Sequence, residues 1–235
     1  MDRFDAAGAA GFAAVEMLFP YELPAREVQQ ALGRNGLRMV LINAPPPNYT
    51  GGERGFAAVP GSEARFDHDM RRAFRYAQAL GVGVIHVMAG EGAGEEARAA
   101  MIDNLTRACA AAPKGITLTI EPLCAESAPG YFLNDYNAAA EIIAAVGAPD
   151  LGLQFDSYHA QMIHGDAVAI YEKFADIIRH VQLGDAPGRV PPGQGSVDFA
   201  GLFAALRAAK YRGYVAGEYT PGGATEKTLD WVKAL

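Results

Sequence analysis

LGLQFD, residues 151–156, is a short apolar run that ends on a carboxylate. Leu, Phe and their neighbours suit a buried strand, whereas Asp is poor inside strands and frequent where they exit. The same design recurs on both sides of it: ITLTIE at 116–121 closes on Glu121, RHVQLG at 179–184 carries Gln182, and YVAGEY at 214–219 carries Glu218. Three further runs complete the set, AAVEML at 13–18, LRMVLI at 37–42 and VGVIHVM at 82–88. Separate strands that each deliver an oxygen-bearing side chain to one end are what a (β/α) barrel needs, because its chemistry sits at the carboxyl ends of the strands.

Helical patterns alternate with these strands near 3–10, 24–34, 62–80, 95–112, 135–146, 166–176, 198–209 and 222–234. Pro24 suits a first helical turn, where no N–H is required. Asp135, Asp166 and Asp198 stand where N-caps belong. No linker rich in Pro, Ser or charge divides the chain, so the expectation is one α/β domain over 1–235, a TIM-like (β/α) barrel. Eight helices against seven strands leave that barrel lacking its first strand, since the chain opens on a helix. An open doubly wound sheet would alternate in the same way, but no GxGxxG follows the first strand.

Composition narrows the partners. Twenty Lys+Arg against 27 Asp+Glu give a formal charge of −7, which offers no broad footprint for a nucleic-acid backbone, so no nucleic-acid partner is expected and the polar strand ends are left to a small-molecule ligand. No apolar run reaches membrane-spanning length, and MDRFDAAGAAGF is not a secretory leader, so no membrane partner and a cytoplasmic location are expected. Cys109 and Cys124 form no CxxC pair; the first reads as helix packing, the second as pocket lining near Glu121. The sequon Asn48-Tyr49-Thr50 needs a secretory route to matter. Apolar helix faces would serve a homo-oligomer as well as a barrel wall.

Glu121 precedes Pro122, whose ring keeps the preceding residue extended and places the carboxylate at a strand exit. Glu218 interrupts a run otherwise suited to a core strand, just before the turn TPGG. Glu121, Asp156, Gln182 and Glu218 together are four oxygen donors from four strands, a set that suits Mg²⁺ or Mn²⁺ better than a closed structural zinc site. His159, three residues after Asp156, and His86, at another strand end, are candidate substrate contacts; His180 should share the strand face of Gln182. The turn GDAPGRVPPGQGSVDF carries Arg189, whose guanidinium fork suits a carboxylate or polyol oxygen. Its glycines, Gly188, Gly193 and Gly195, give the turn dihedral freedom and show no Walker or dinucleotide spacing.

VEMLFPYE at 15–22, HVMAG at 86–90, IEPLCAESAPGYFLND at 120–135, FDSYHAQMIHGD at 155–166, HVQLGDAPGRVPPGQGSVDF at 180–199 and GEYTPGG at 217–223 together resemble the hydroxypyruvate isomerase family. That family belongs to the wider xylose-isomerase-like barrels. The resemblance implies metal coordination by Glu121, Asp156, Gln182 and Glu218, acid/base work by the two glutamates, and pocket roles for His159 and Arg189. It implies an aldose–ketose type isomerase that interconverts hydroxypyruvate and tartronate semialdehyde, or a short 2-oxo sugar acid, through a metal-stabilised enediolate. Gln182, where related epimerases have an imidazole ligand, favours the isomerase branch over a ketose epimerase. Members have a strand ahead of the segment matching DRFDAAGAAGFAAVE, and often an acidic residue where Ser196 stands. A sugar-acid-binding protein without turnover is the remaining alternative.

Overall fold

Seven apolar runs become strands: β1 (Ala14–Glu16), β2 (Arg38–Ala44), β3 (Val84–Val87), β4 (Thr117–Ile120), β5 (Leu151–Asp156), β6 (Ile178–Leu183) and β7 (Val215–Gly217). The computed structural model describes residues 2–44 and 54–235, so the Asn48 sequon lies outside the described residues. All six neighbouring pairs are parallel and the sheet order equals the chain order, as right-handed strand–helix–strand crossovers require. The helices are α1 (Asp2–Ala9), α2 (Ala25–Arg34), α3 (Glu63–Leu80), α4 (Gly94–Ala111), α5 (Tyr136–Val146), α6 (Ser157–His164), α7 (Ala167–Phe174) and α8 (Phe199–Ala208). The expected TIM-like barrel is borne out: seven parallel strands curl into a nearly closed barrel with helices outside.

Strand alternation sorts side chains into two environments. On β5, Phe155 faces outward and meets the rings of Tyr136 on α5 and Tyr171 on α7, with centroids 6.1 and 5.4 Å away. Leu118, Ile120, Leu153, Val181 and Leu183 are likewise buried in the apolar layer between strands and helices, each contributing about 2 kcal/mol by area removed from water. The intervening residues, Thr119, Gln154, Asp156, His180 and Gln182, turn inward and are also buried. Sequence period thus produces an apolar shell around a polar interior.

Helix starts follow the expected caps. Asp135 Oδ1 accepts from Ala138 N at 2.9 Å, Asp166 Oδ1 from Ala169 N at 3.0 Å and Asp198 Oδ1 from Gly201 N at 2.9 Å. α6 begins at Ser157 directly from β5, because Asp156 Oδ1 caps it by accepting from Tyr158 N at 2.7 Å. One local expectation is corrected. The tail 222–234 is not an α-helix but two 3₁₀ turns, Thr225–Thr228 and Asp230–Ala234. Trp231 is buried, donates from Nε1 to Tyr219 Oη at 3.1 Å, and packs where a Cβ on Gly217 would come within 2.8 Å of its ring. That anchor holds the tail against β7 instead of letting it coil freely.

Among the described residues, β1 and β7 are the sheet edges and form no ladder with each other. Their side chains are only partly buried, unlike those of β3–β6. A cavity of about 300 Å³ lies along this seam, lined by Phe12, Val15, Glu16, Val215, Tyr219 and Trp231 among others.

Candidate active site

The polar interior gathers at the carboxyl ends of β3 to β7. Glu121 follows β4 directly, Asp156 ends β5, Gln182 lies near the end of β6, and Glu218 follows β7. Glu121, Asp156 and His159 each present a donor atom within 4.8 Å of one another, and all three are buried. His159 enters this cluster because α6 starts without a loop, which swings its third residue back over the strand end.

Gln182 and Glu218 join through intermediaries. Gln154 Nε2 donates to Glu121 Oε2 at 2.9 Å and to Gln182 Oε1 at 2.7 Å, while Gln154 Oε1 accepts from Thr119 Oγ1 at 3.0 Å. Arg189 Nη2 donates to Asp156 Oδ2 at 2.5 Å and lies 3.0 Å from Glu218 Oε2. Its Nη1 stands 3.0 Å from His159 Nε2 and its Nε donates to the Glu218 carbonyl at 3.0 Å. His86, on β3, has Nδ1 at 3.4 Å from Glu121 Oε2, and neither ring nitrogen finds a hydrogen-bond partner. Expectation placed His86, His159 and Arg189 around the ligand; the fold puts all three against the acidic centre.

The Arg189 turn is held by a residue that sequence reading passed over. Asp185 is fully buried and accepts backbone N–H bonds from Ala186 (2.9 Å), Gly193 (2.9 Å), Gly195 (2.7 Å) and Val197 (2.9 Å). Gly195 must stay bare, since a Cβ there would lie 2.2 Å from the Ala186 carbonyl oxygen. Ser196, the departure from the family pattern, donates from Oγ to that same carbonyl at 3.0 Å and so closes the turn. Arg189 sits at φ 53°, in the left-handed region, a strained setting that this network stabilises.

Three more residues lacked a sequence assignment: Glu16, Gln154 and Thr119. Glu16 Oε2 accepts from Gln182 Nε2 at 2.7 Å and Oε1 contacts His180 Nε2. The expectation that His180 shares a face with Gln182 is met, since both reach one carboxylate.

Electrostatics here are strongly biased. Burial and the neighbouring carboxylates of Asp156 and Glu218 hold the Glu121 carboxyl well above the usual range. Glu218, with a side chain 29% exposed at the mouth, is pushed up to about 7 by burial and by Asp156 and Glu16, against the pull of Arg189. Burial drives His86 down to about 3, with His159 and His180 adding to the effect, so it stays neutral at working pH. Arg189 stays charged: burial opposes its charge, but Asp156, Glu218 and Glu121 outweigh it and raise its pKa.

A measurable consequence follows for Glu218. Its folded pKa of about 7 exceeds the ordinary 4.5, so between those pH values the folded state holds a proton that the unfolded state has lost. Its contribution to stability therefore falls as pH rises through that window and levels off above it. In chelator-treated protein, Glu218→Gln should gain melting temperature relative to the parent between pH 5 and pH 8; a constant difference across that range would contradict the shift.

The donor set fits a divalent cation. Three carboxyl groups, Glu121, Asp156 and Glu218, act on one guanidinium, and a fourth, Glu16, adds its charge to the same centre. Glu121 Oε1 is buried without a hydrogen-bond partner, an oxygen aimed into the cluster with nothing to satisfy it. Carboxylate and amide oxygens are the ligands that Mg²⁺ and Mn²⁺ accept.

Comparison with known proteins agrees with this geometry. A family model described as xylose isomerase-like TIM barrel matches residues 4–235. A 2-oxo-tetronate isomerase of Cupriavidus necator is 41% identical over 99% of this chain and 92% of its own length. A hydroxypyruvate isomerase of Escherichia coli is 35% identical over 98% of this chain and 91% of its own. A crystal structure from Brucella melitensis, described as an AP endonuclease of family 2, superposes with a TM-score of 0.94 at 37% identity, covering 99% of this chain and 92% of that one. The sequence resemblance to hydroxypyruvate isomerases is thereby upheld over nearly the whole chain. The chain is an enzyme of the isomerase class and belongs to the xylose isomerase-like TIM barrel family.

Proposed function

We propose that this isomerase acts on a short α-hydroxy-oxo acid, hydroxypyruvate or a 2-oxo sugar acid, by moving a proton between neighbouring carbons. The observation that carries the reading is a pair of carboxyls with raised proton affinity, Glu121 and Glu218, sharing one buried centre with a guanidinium. Mg²⁺ or Mn²⁺, held by Glu121, Asp156, Gln182 and Glu218 with His159 beside them, would supply positive charge to the carbonyl and hydroxyl oxygens of the substrate.

The chain's own residues account for the proton movements. For hydroxypyruvate, one glutamate takes a proton from C3, which becomes the aldehyde carbon, and a proton is delivered to C2, which becomes the carbinol carbon. The C3 hydroxyl proton is lost and the C2 oxygen gains one, so no net redox change occurs and no nicotinamide or flavin is needed. A glutamate held partly protonated near neutral pH can both accept and return a proton, which an ordinary carboxylate does poorly. His159 accepts from Cys124 N at Nδ1 (3.0 Å), so in its neutral form the proton sits on Nε2. That Nε2–H faces another donor, Arg189 Nη1, and is therefore free to serve a substrate oxygen instead. Arg189 anchors the substrate carboxylate through its fork.

Hydroxypyruvate turnover in deuterated water, with Mn²⁺ and with a chelated control, tests the reading. Tartronate semialdehyde with label at C2 supports it. In a parallel incubation with a chiral ketose, recovery of its epimer points to an epimerase, and binding without product in either incubation points to a ligand-binding protein. Arg189→Lys should cut the preference for an acid substrate over its uncharged analogue by about 10- to 100-fold, since a lysine cannot form the fork; unchanged preference would remove Arg189 as the anchor. A DNA substrate, which the description of the Brucella structure suggests, meets a chain of charge −7 and an acidic centre. Phosphate backbones are repelled by both.

A further inference from the structure

Glu16 stands on β1, at one edge of the sheet, yet its carboxylate binds side chains of β6, a strand with which β1 has no ladder. It is the first member of a chain of side chains that crosses the barrel interior: Glu16 accepts from Gln182, Gln182 accepts from Gln154, and Gln154 also donates to Glu121. Both ends of this chain are carboxylates, which accept only, and both middle members are amides, each with an oxygen end and a nitrogen end.

That arrangement has a direction. An amide is nearly symmetric in shape, and only its partners decide which end points where. Glu16 Oε2, 2.7 Å from Gln182 Nε2, demands the NH₂ end of Gln182 and so turns the Gln182 oxygen inward. Gln182 Oε1 and Glu121 Oε2 then lie within hydrogen-bond distance of one nitrogen, Gln154 Nε2, which gives each of them one hydrogen. Thr119 Oγ1 donates to the Gln154 oxygen at 3.0 Å, so the Gln154 amide has a partner at each end. The Gln182 oxygen keeps a second lone pair for a cation.

We propose that Glu16 is a positioning residue that fixes the orientation of the Gln182 amide, so that oxygen and not nitrogen faces the cation site. The inference rests on the cation-assisted isomerase reading above and deepens it by one residue. Without Glu16, only the bond from Gln154 holds the Gln182 oxygen inward, and an NH₂ turned inward would repel a cation and lose a ligand atom. Residues that orient metal ligands typically change affinity by about 10- to 100-fold when replaced.

Mn²⁺ binding, measured by calorimetry and by the electron paramagnetic resonance signal of the free ion, tests this without recourse to turnover. Glu16→Gln should weaken Mn²⁺ by about 10- to 100-fold in the parent protein. In a Gln182→Glu background, where both ends of residue 182 are oxygen and no orientation needs setting, the same substitution should cost nothing or improve binding. An equal loss in both backgrounds would mean that Glu16 acts only through its charge, and would overturn the assignment while leaving the isomerase reading in place. Failure of the unsubstituted protein to bind Mn²⁺ would overturn both. Far-ultraviolet dichroism and melting temperature of each variant identify a loss that comes from misfolding, and Glu16→Asp supplies a second variant that keeps the acceptor.

Discussion

Glu121→Gln should lower kcat by about three orders of magnitude while leaving the melting temperature unchanged or raised. The expected loss follows from removing the group proposed to exchange a proton with carbon, a contribution of roughly 10²- to 10⁴-fold for a positioned acid or base. The expected stability follows from burial. Glu121 is 4% exposed and lies among carboxylates that hold its pKa well above normal, so its charge is a liability to the fold. The amide is isosteric, its oxygen can keep the bond from Gln154, and it adds no charge beside Asp156. Steady-state kinetics with hydroxypyruvate and a thermal melt decide the matter. Turnover within tenfold of the parent would take Glu121 out of the proton transfer, whereas a fall in melting temperature of many degrees would recast it as a structural residue.

Asp185→Ala should be the most destabilising single change near the site, at about 4 kcal/mol, or roughly 10 °C in melting temperature for a chain of this size. Four backbone N–H groups, those of Ala186, Gly193, Gly195 and Val197, lose one charged acceptor together. The turn they define carries Arg189 at a left-handed φ, so its loosening should also lower kcat/KM by at least about 100-fold through loss of the guanidinium's aim. Asp185→Asn keeps one acceptor oxygen and should fall between the two. A loss below about 1 kcal/mol would show that the backbone pair Asp185–Val190 and the Ser196 contacts suffice to hold the turn.

Strand ends announced themselves in the sequence because each joined an apolar run to a polar terminus that a core strand would not tolerate. Glu121, Asp156, Gln182 and Glu218 were legible for that reason, and Asp135, Asp166 and Asp198 because a cap is a local contact within three residues. The residues that escaped notice act over long separations. Glu16 meets Gln182 across 166 positions, and nothing in AAVEML says where its glutamate points. Gln154 looked like one polar member of an apolar strand, though the inward parity it shares with Asp156 could have raised it. Asp185 sat in a run of Gly and Pro, where an aspartate reads as ordinary turn chemistry. α6 is missing from the helical patterns because its cap is itself a strand terminus, although Asp156 at one end and Gly165 at the other are boundary marks. The tail near 222–234 erred the opposite way: its spacing suited a helix, and the docking of one tryptophan overrode it.

The direct junction of β5 and α6 has a consequence for how such an enzyme can diversify. Asp156 is at once the last strand residue, the helix cap and a partner of Arg189, so the junction has no slack. One residue inserted after it would turn His159 by about 100° around the helix axis and out of the cluster. Length variation that accommodates a bulkier substrate must therefore accumulate elsewhere on the rim. The junction behaves as a fixed hub around which the rest of the rim is free to change.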